Sequence, residues 1–313
     1  MENVSSVTEF TLSGFDKILD YKLTFFFLTL LFYCVIIMVN VAVIVIITMD
    51  RNLHEPMYIL LCNLCINGLF GSVGFYPKFL LDLLSHAQVI SYAACMFQAF
   101  VIYSSVCIDI CLLSVMAYDR YVAICRPLKY HSVMTRQRVA QLVSFSWLAP
   151  LGLSSAGIIF ASRLKLCGSH IQKLYCATWM VVKLSCAATS WMTSTIPTNI
   201  TAYIMIFFYT FIGIFIVGSY VRLIRSCFKS LENRGKFMRT CVPHFIALFN
   251  VIIATLFDVM YMRYGSSDLP QHLQNFLSVE MIIVPPLVNP LIYGLTLTQI
   301  RNKILHPCLQ KKS

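Results

Sequence analysis

Charge is scarce in this chain of 313 residues: 12% are Asp, Glu, Lys or Arg, against 58% apolar. A soluble globular chain carries about a quarter charged residues, which excludes an ordinary soluble enzyme. A disordered tail, with the opposite bias, is excluded too. Acids are rarer than bases, 13 against 24. The polar first 20 residues lack the basic-then-apolar layout and cleavage site of a signal peptide. No repeat, low-complexity segment or second domain is visible. The alternating apolar and polar stretches of a membrane β-barrel are missing as well. In their place stand continuous apolar runs and a mean hydropathy of +0.76.

About 20 helical residues cross the ~30 Å hydrocarbon layer. Runs of that length occur near 23–48, 57–80, 93–118, 139–160, 196–221, 242–262 and 272–297. They predict an all-α membrane protein. An outer N-terminus (1–22) precedes a bundle of seven transmembrane helices (23–297), followed by a cytoplasmic tail (298–313). Pro77, Pro150, Pro285, Pro286 and Pro290 fall inside these runs. Membrane helices tolerate such prolines because neighbours re-satisfy the freed backbone groups.

Sixteen of the 24 Lys and Arg lie in the loops after the first, third and fifth spans or in the tail. Positive-inside bias then puts the tail in the cytoplasm and the N-terminus outside, as for a multi-pass plasma-membrane protein. The net charge of +11 follows from this asymmetry. It calls for anionic lipid headgroups at the inner face, not for nucleic acid. Asn3-Val4-Ser5 is a glycosylation acceptor on the outer side. The stretch 298–309 has Ile300, Ile304 and Leu305 beside Arg301 and Lys303, the pattern of an amphipathic helix lying on the inner leaflet. Cys308 is an acylation candidate there.

Four of the 13 cysteines, Cys95, Cys167, Cys176 and Cys186, fall on the oxidising side. They allow three complete pairings, among which spacing does not choose. Within the bilayer a charge is a functional candidate by default. Asp109 lies in the middle of the third span, with Asn40, Asn67 and Asn289 at similar depth in the first, second and seventh. Together they predict a buried polar centre, either purely hydrogen-bonded or holding water or sodium. No other metal and no cofactor is called for. Asp119-Arg120-Tyr121 ends the third span at the cytoplasmic face. Adjacent helix positions point to different sides, so the Asp119 and Arg120 charges need not cancel.

The sequence Met116-Ala-Tyr-Asp-Arg-Tyr-Val-Ala-Ile-Cys125 resembles the odorant receptors, a branch of the rhodopsin-like G-protein-coupled receptors. Other stretches agree in order: Phe10-Thr-Leu-Ser-Gly-Phe15, Leu53-His-Glu-Pro-Met-Tyr58, Ser219-Tyr220, Lys236 through Thr240-Cys241 to His244, and Pro285-Pro-Leu-Val-Asn-Pro-Leu-Ile-Tyr293. Glu55 and Gly74-Phe-Tyr-Pro-Lys78 look more like fish-type members. The resemblance implies an odorant as ligand and a heterotrimeric G protein, of the stimulatory olfactory type, as partner. It places Asp119, Arg120, Tyr121, Tyr220, Asn289, Pro290 and Tyr293 in coupling and activation. It also pairs Cys95 with Cys176 and Cys167 with Cys186. The chain departs from the family pattern at Gly68, where an acid is usual, and at Lys236 and Arg239, where no acid stands to hold Arg120. A third departure is Ala177, where an acid often follows the cysteine.

Small-molecule sites are concave and mostly apolar. Candidates at helical spacing in the outer halves are Ile102, Tyr103 and Val106 on the third span and Ile204, Met205 and Phe208 on the fifth. Ile252, Thr255 and Val259 on the sixth and Val279 and Ile282 on the seventh complete the set. Asp258 and Glu280 are suited to a cationic ligand; the plainer alternatives are that Asp258 faces water and Glu280 pairs with a neighbour. A secondary transporter would show paired repeats with broken helices, and none is visible. An intramembrane enzyme would need a local motif beside Asp109 or Glu280. A retinal-type sensor would need a Lys in the seventh span, which has none.

Overall fold

The computed structural model describes residues 7–14, 21–186, 200, 203–204, 206–207, 210–214, 217–219, 221–222, 231–264, 271–296, 300–301 and 303. Within 231–244, 262–264, 271–272 and 293–296 it describes the backbone alone.

The long helices follow the apolar runs: α1 (Lys22–Met49), α2 (Pro56–Leu84), α3 (Tyr92–Cys125) and α4 (Arg136–Ser162). The described helical residues between 200 and 222 form α5. They are followed by α6 (Leu231–Tyr264) and α7 (Gln271–Thr296). Local chemistry sets the starts. Pro56 opens α2, where its fixed φ suits the first turn and its missing N–H is no loss. Ser91 caps α3 by accepting from the Ala94 N–H, and Thr135 caps α4 by accepting from Arg138.

Among the described residues, α1 to α4 and the stretch Leu273–Ile292 of α7 are long and apolar enough to cross a membrane. The apolar parts of α5 and α6, Thr210–Ser219 and Phe245–Tyr261, are shorter. Burial ranks the helices. The apolar stretch of α3 is 78% buried, against 22% in α1 and 17% in α4, so α3 is the axis and α1 and α4 the periphery. The outward side chains of α1, such as Phe27, Leu31 and Met38, are exposed as a lipid-facing helix requires.

A glycine row on α2 sets its distance from α3. A Cβ on Gly71 would lie 2.2 Å from Ser105 Oγ, and one on Gly74 would lie 2.8 Å from Val101 Cγ1. Small residues at such spacing let membrane helices approach closely.

The all-α expectation meets one addition. Three short strands, β1 (Glu9–Leu12), β2 (Val89–Ser91) and β3 (His170–Ile171), form a sheet in the order β2-β1-β3. β1 runs antiparallel to β2 and parallel to β3. Phe10 and Leu12 alternate with polar neighbours and are buried, which anchors the N-terminal segment across the outer end.

Candidate functional site

The outer end is built around Cys95, in the first turn of α3, which is joined to Cys176; their Cα atoms are 5.3 Å apart. Gln98 locks the same corner: its amide donates to the Gly74 carbonyl, and its oxygen accepts from the Cys176 N–H, both at 2.9 Å. Cys167 is joined to Cys186, with 5.0 Å between Cα atoms, closing a smaller loop around the short helix Thr178–Lys183.

Beneath this corner Lys173 reaches inward from the loop. Its ammonium donates to Asp258 Oδ1 of α6 at 2.5 Å and to Ser278 Oγ of α7 at 2.8 Å. Ser278 also donates to Asp258 Oδ1 at 2.7 Å, and Tyr103 of α3 donates to Oδ2 at 3.5 Å. Lys173 and Asp258 are 7% and 2% exposed, so Asp258 does not face water at a helix end. The loop ammonium holds it inside. Burial, and then the charge of Asp258, pushes the Tyr175 phenol well above its usual range. Burial, and then nearby Lys173, lowers the Lys183 ammonium. Glu280 takes the neighbour it required, accepting from Asn250 Nδ2 at 2.7 Å.

In the middle of the bundle Asn67 Nδ2 donates to Asp109 Oδ1 and to the Ser105 carbonyl, both at 2.8 Å. Asn40 does something else. Its amide donates at 2.8 Å to the Pro286 carbonyl of α7 and to the Ile36 carbonyl of its own helix. The expected polar centre is therefore an Asn67–Asp109 pair with a separate α1–α7 bridge, and Asn289 is buried on α7. Prolines at 285, 286 and 290 free α7 carbonyls for this use. A cavity with room for about one water lies between α2, α3 and α7. Its walls include Ile102, Val106, Asp109, Met281, Ile282 and Pro286.

Of the predicted ligand-lining residues, the structure brings Ile102, Val106 and Ile282 to that cavity. Tyr103 instead joins the Lys173–Asp258 cluster. Ile252, Thr255, Val259 and Val279 are half-buried on α6 and α7, and the Thr255 hydroxyl donates to the Val251 carbonyl of its own helix. Ile204 is 50% exposed. An apolar stripe on a membrane helix serves lipid as readily as an interior. Asn3, Met205, Phe208, Tyr220 and Cys308 lie outside the described residues, as does the side chain of Tyr293.

At the inner end of α3, Asp119 is fully buried and pairs directly with Arg120, whose Nε donates at 2.9 Å. The two charges thus meet, although they are adjacent on the helix. Tyr130, in the following loop, donates to the other carboxylate oxygen at 2.7 Å. Burial, and then the charge of Asp119, raises the Tyr130 phenol. Tyr121 packs part-buried against the core, and Pro290 is buried. Lys303 pairs with Asp50 at the end of α1, and Ile300 is fully buried, so the start of the tail is tied to the bundle.

Sequence reasoning missed Lys173, Tyr175, Ser278 and Tyr130. A signal for Lys173 was present: a base inside a disulfide-bounded outer loop, with Asp258 as a buried acid still without a counter-ion.

A helix bundle whose third helix is pinned at one end by a disulfide and ends at the other in an Asp–Arg pair with its carboxylate buried has the anatomy of a G-protein-coupled receptor. A model of the olfactory receptor family matches residues 29–311. Olfactory receptor 11L1 of Homo sapiens is 34% identical over 99% of this chain and 93% of its own length. Olfactory receptor 8A1 of Homo sapiens is 35% identical, over 99% and 91%. Olfactory receptor 1D2 of Pan troglodytes is 32% identical, over 98% and 95%. The chain belongs to the olfactory receptor family.

Proposed function

We propose that this odorant receptor takes a small ligand in the outer half of the bundle, around Tyr103, Ile102, Val106 and Ile282, and raises cyclic AMP through a stimulatory G protein. In this reading it sits in the plasma membrane with its N-terminus outside, where Asn3 is glycosylated. The G protein docks at Arg120, with Asp119 and Tyr121 positioning it and Tyr220, Asn289, Pro290 and Tyr293 forming the activation path. The observation that carries the reading is the inner end of α3. Arg120 stands there beside a fully buried carboxylate, opposite the disulfide-pinned outer end. The pair stores a charge that a partner engages when the inner end opens. The Asn67–Asp109 pair beneath the ligand keeps α2 and α3 in register. Basic inner loops hold anionic lipid.

Activation is a population shift, so the ligand must bind the open state better than the closed one. Moving the ratio from 1:99 to 99:1 takes about 5.5 kcal/mol of differential affinity. The test is cyclic AMP in cells co-expressing the chain and a stimulatory G protein, screened against pooled odorants. An N-terminal tag read on unpermeabilised cells scores delivery and topology together. A dose-dependent rise in tagged cells supports the reading. A tag reachable only after permeabilisation contradicts the orientation.

A further inference from the structure

The structure assigns a primary-ammonium subsite to Asp258, Ser278 and Tyr175, a site that Lys173 of the protein's own outer loop fills. This rests on the receptor reading above and names the ligand class for it. Three observations support it. The lysine ammonium is held as a bound amine would be: Asp258 Oδ1 at 2.5 Å, Ser278 Oγ at 2.8 Å, and the Tyr175 ring with its centroid 5.3 Å away. That is a carboxylate, a hydroxyl and an aromatic face, the surroundings that suit an alkylammonium. The acceptor is fixed, because Asp258 lies on α6, is 2% exposed, and is also bonded by Ser278 and Tyr103. The donor is not fixed in the same way. It comes from a loop on a four-carbon side chain that can swing its charge back to water.

This asymmetry decides the class of ligand. Breaking a buried ion pair is costly when one charge is left behind without a partner. A ligand ammonium that displaces Lys173 leaves neither charge stranded, since the ligand neutralises Asp258 and Lys173 is hydrated. A ligand carboxylate bound to Lys173 would strand Asp258 on its helix. Lys183, an exposed cation of the same loop, adds to the repulsion that favours release of Lys173. The backbone of Lys173 need not move. It is pressed under Gly14, where a Cβ would come 2.6 Å from the Lys173 carbonyl carbon. Lys173 is therefore a tethered competitor, and primary alkylamines are the ligands that replace it.

The test uses full-length receptor in nanodiscs, with thermal stability as the readout and n-propylamine, n-butylamine, butan-1-ol and butyrate as probes. The amines raise the melting temperature of the wild type, and Lys173→Ala binds them roughly tenfold or more tighter because the competitor is gone. Asp258→Asn, alone or combined with Lys173→Ala, abolishes the effect. The alcohol and the acid give no shift that depends on Asp258. If Lys173→Ala reaches the cell surface poorly, growth in millimolar n-propylamine restores its surface staining. Amines that neither stabilise nor rescue Lys173→Ala, or that do so equally without Asp258, overturn the assignment. Signalling is scored separately. Amine binding without a cyclic AMP response would sink the G-protein reading and leave the subsite standing. Neutral odorants that signal where amines fail to bind would do the reverse.

Discussion

At the scale of the residue, a few polar atoms hold helices that lipid would not otherwise drive together. Hydrophobic burial does little between membrane helices, so close packing and interhelical hydrogen bonds decide the arrangement. Asn67 makes two such bonds to α3. Asn67→Leu therefore removes both and leaves Asp109 without its donor; a loss of about 1–3 kcal/mol is expected in thermal unfolding of purified receptor. Gly71 carries a steric prediction. Its added methyl meets Ser105 Oγ at 2.2 Å and Ser105 Cβ at 2.9 Å. Gly71→Ala should destabilise by about 1–3 kcal/mol, and Ser105→Gly in the same chain should recover most of it. No recovery would mean that the row does not set the α2–α3 distance. Tyr130→Phe removes the bond that ties the loop after α3 to the Asp119 carboxylate, a loosening worth roughly 1 kcal/mol. Higher basal cyclic AMP at equal surface density is the expected sign.

At the scale of the element, the outer cap is the part least visible in the sequence. Apolar runs read well as helices, because one period and one solvent dictate them; the expected run 93–118 lies within α3. The strand β1 did not read, because four residues carry too little alternation to stand out, and its partners β2 and β3 lie far away in the chain. Lys173 and Asp258 are 85 positions apart, a contact that only the closed fold creates. Tyr130 escaped notice for a similar reason, since a loop tyrosine has no periodicity to betray a buried partner. Charge in an apolar run is legible at once, as at Asp109, whereas its hydrogen-bond partners are legible only in part. Phe10 is fully buried, so Phe10→Ala should cost about 3–5 kcal/mol. Loss of N-terminal protection in hydrogen exchange, ahead of α3, is the measurement. An unchanged exchange pattern would show that the strand is not seated on the bundle.

At the scale of the whole molecule, the cap and the inner cluster are the two ends of one lever. α3 links them, running from the Cys95–Cys176 bond to the Asp119–Arg120 pair. In the proposed reading, a ligand that shifts the ends of α6 and α7 where Asp258 and Ser278 sit biases the opposite end, at which the G protein would dock. The most direct test of this account compares wild type with Arg120→Ala for agonist-driven cyclic AMP, with surface density matched by the N-terminal tag. The account predicts that the response disappears in Arg120→Ala while surface staining and ligand-induced thermal stabilisation persist. A response of wild-type size in Arg120→Ala would contradict it.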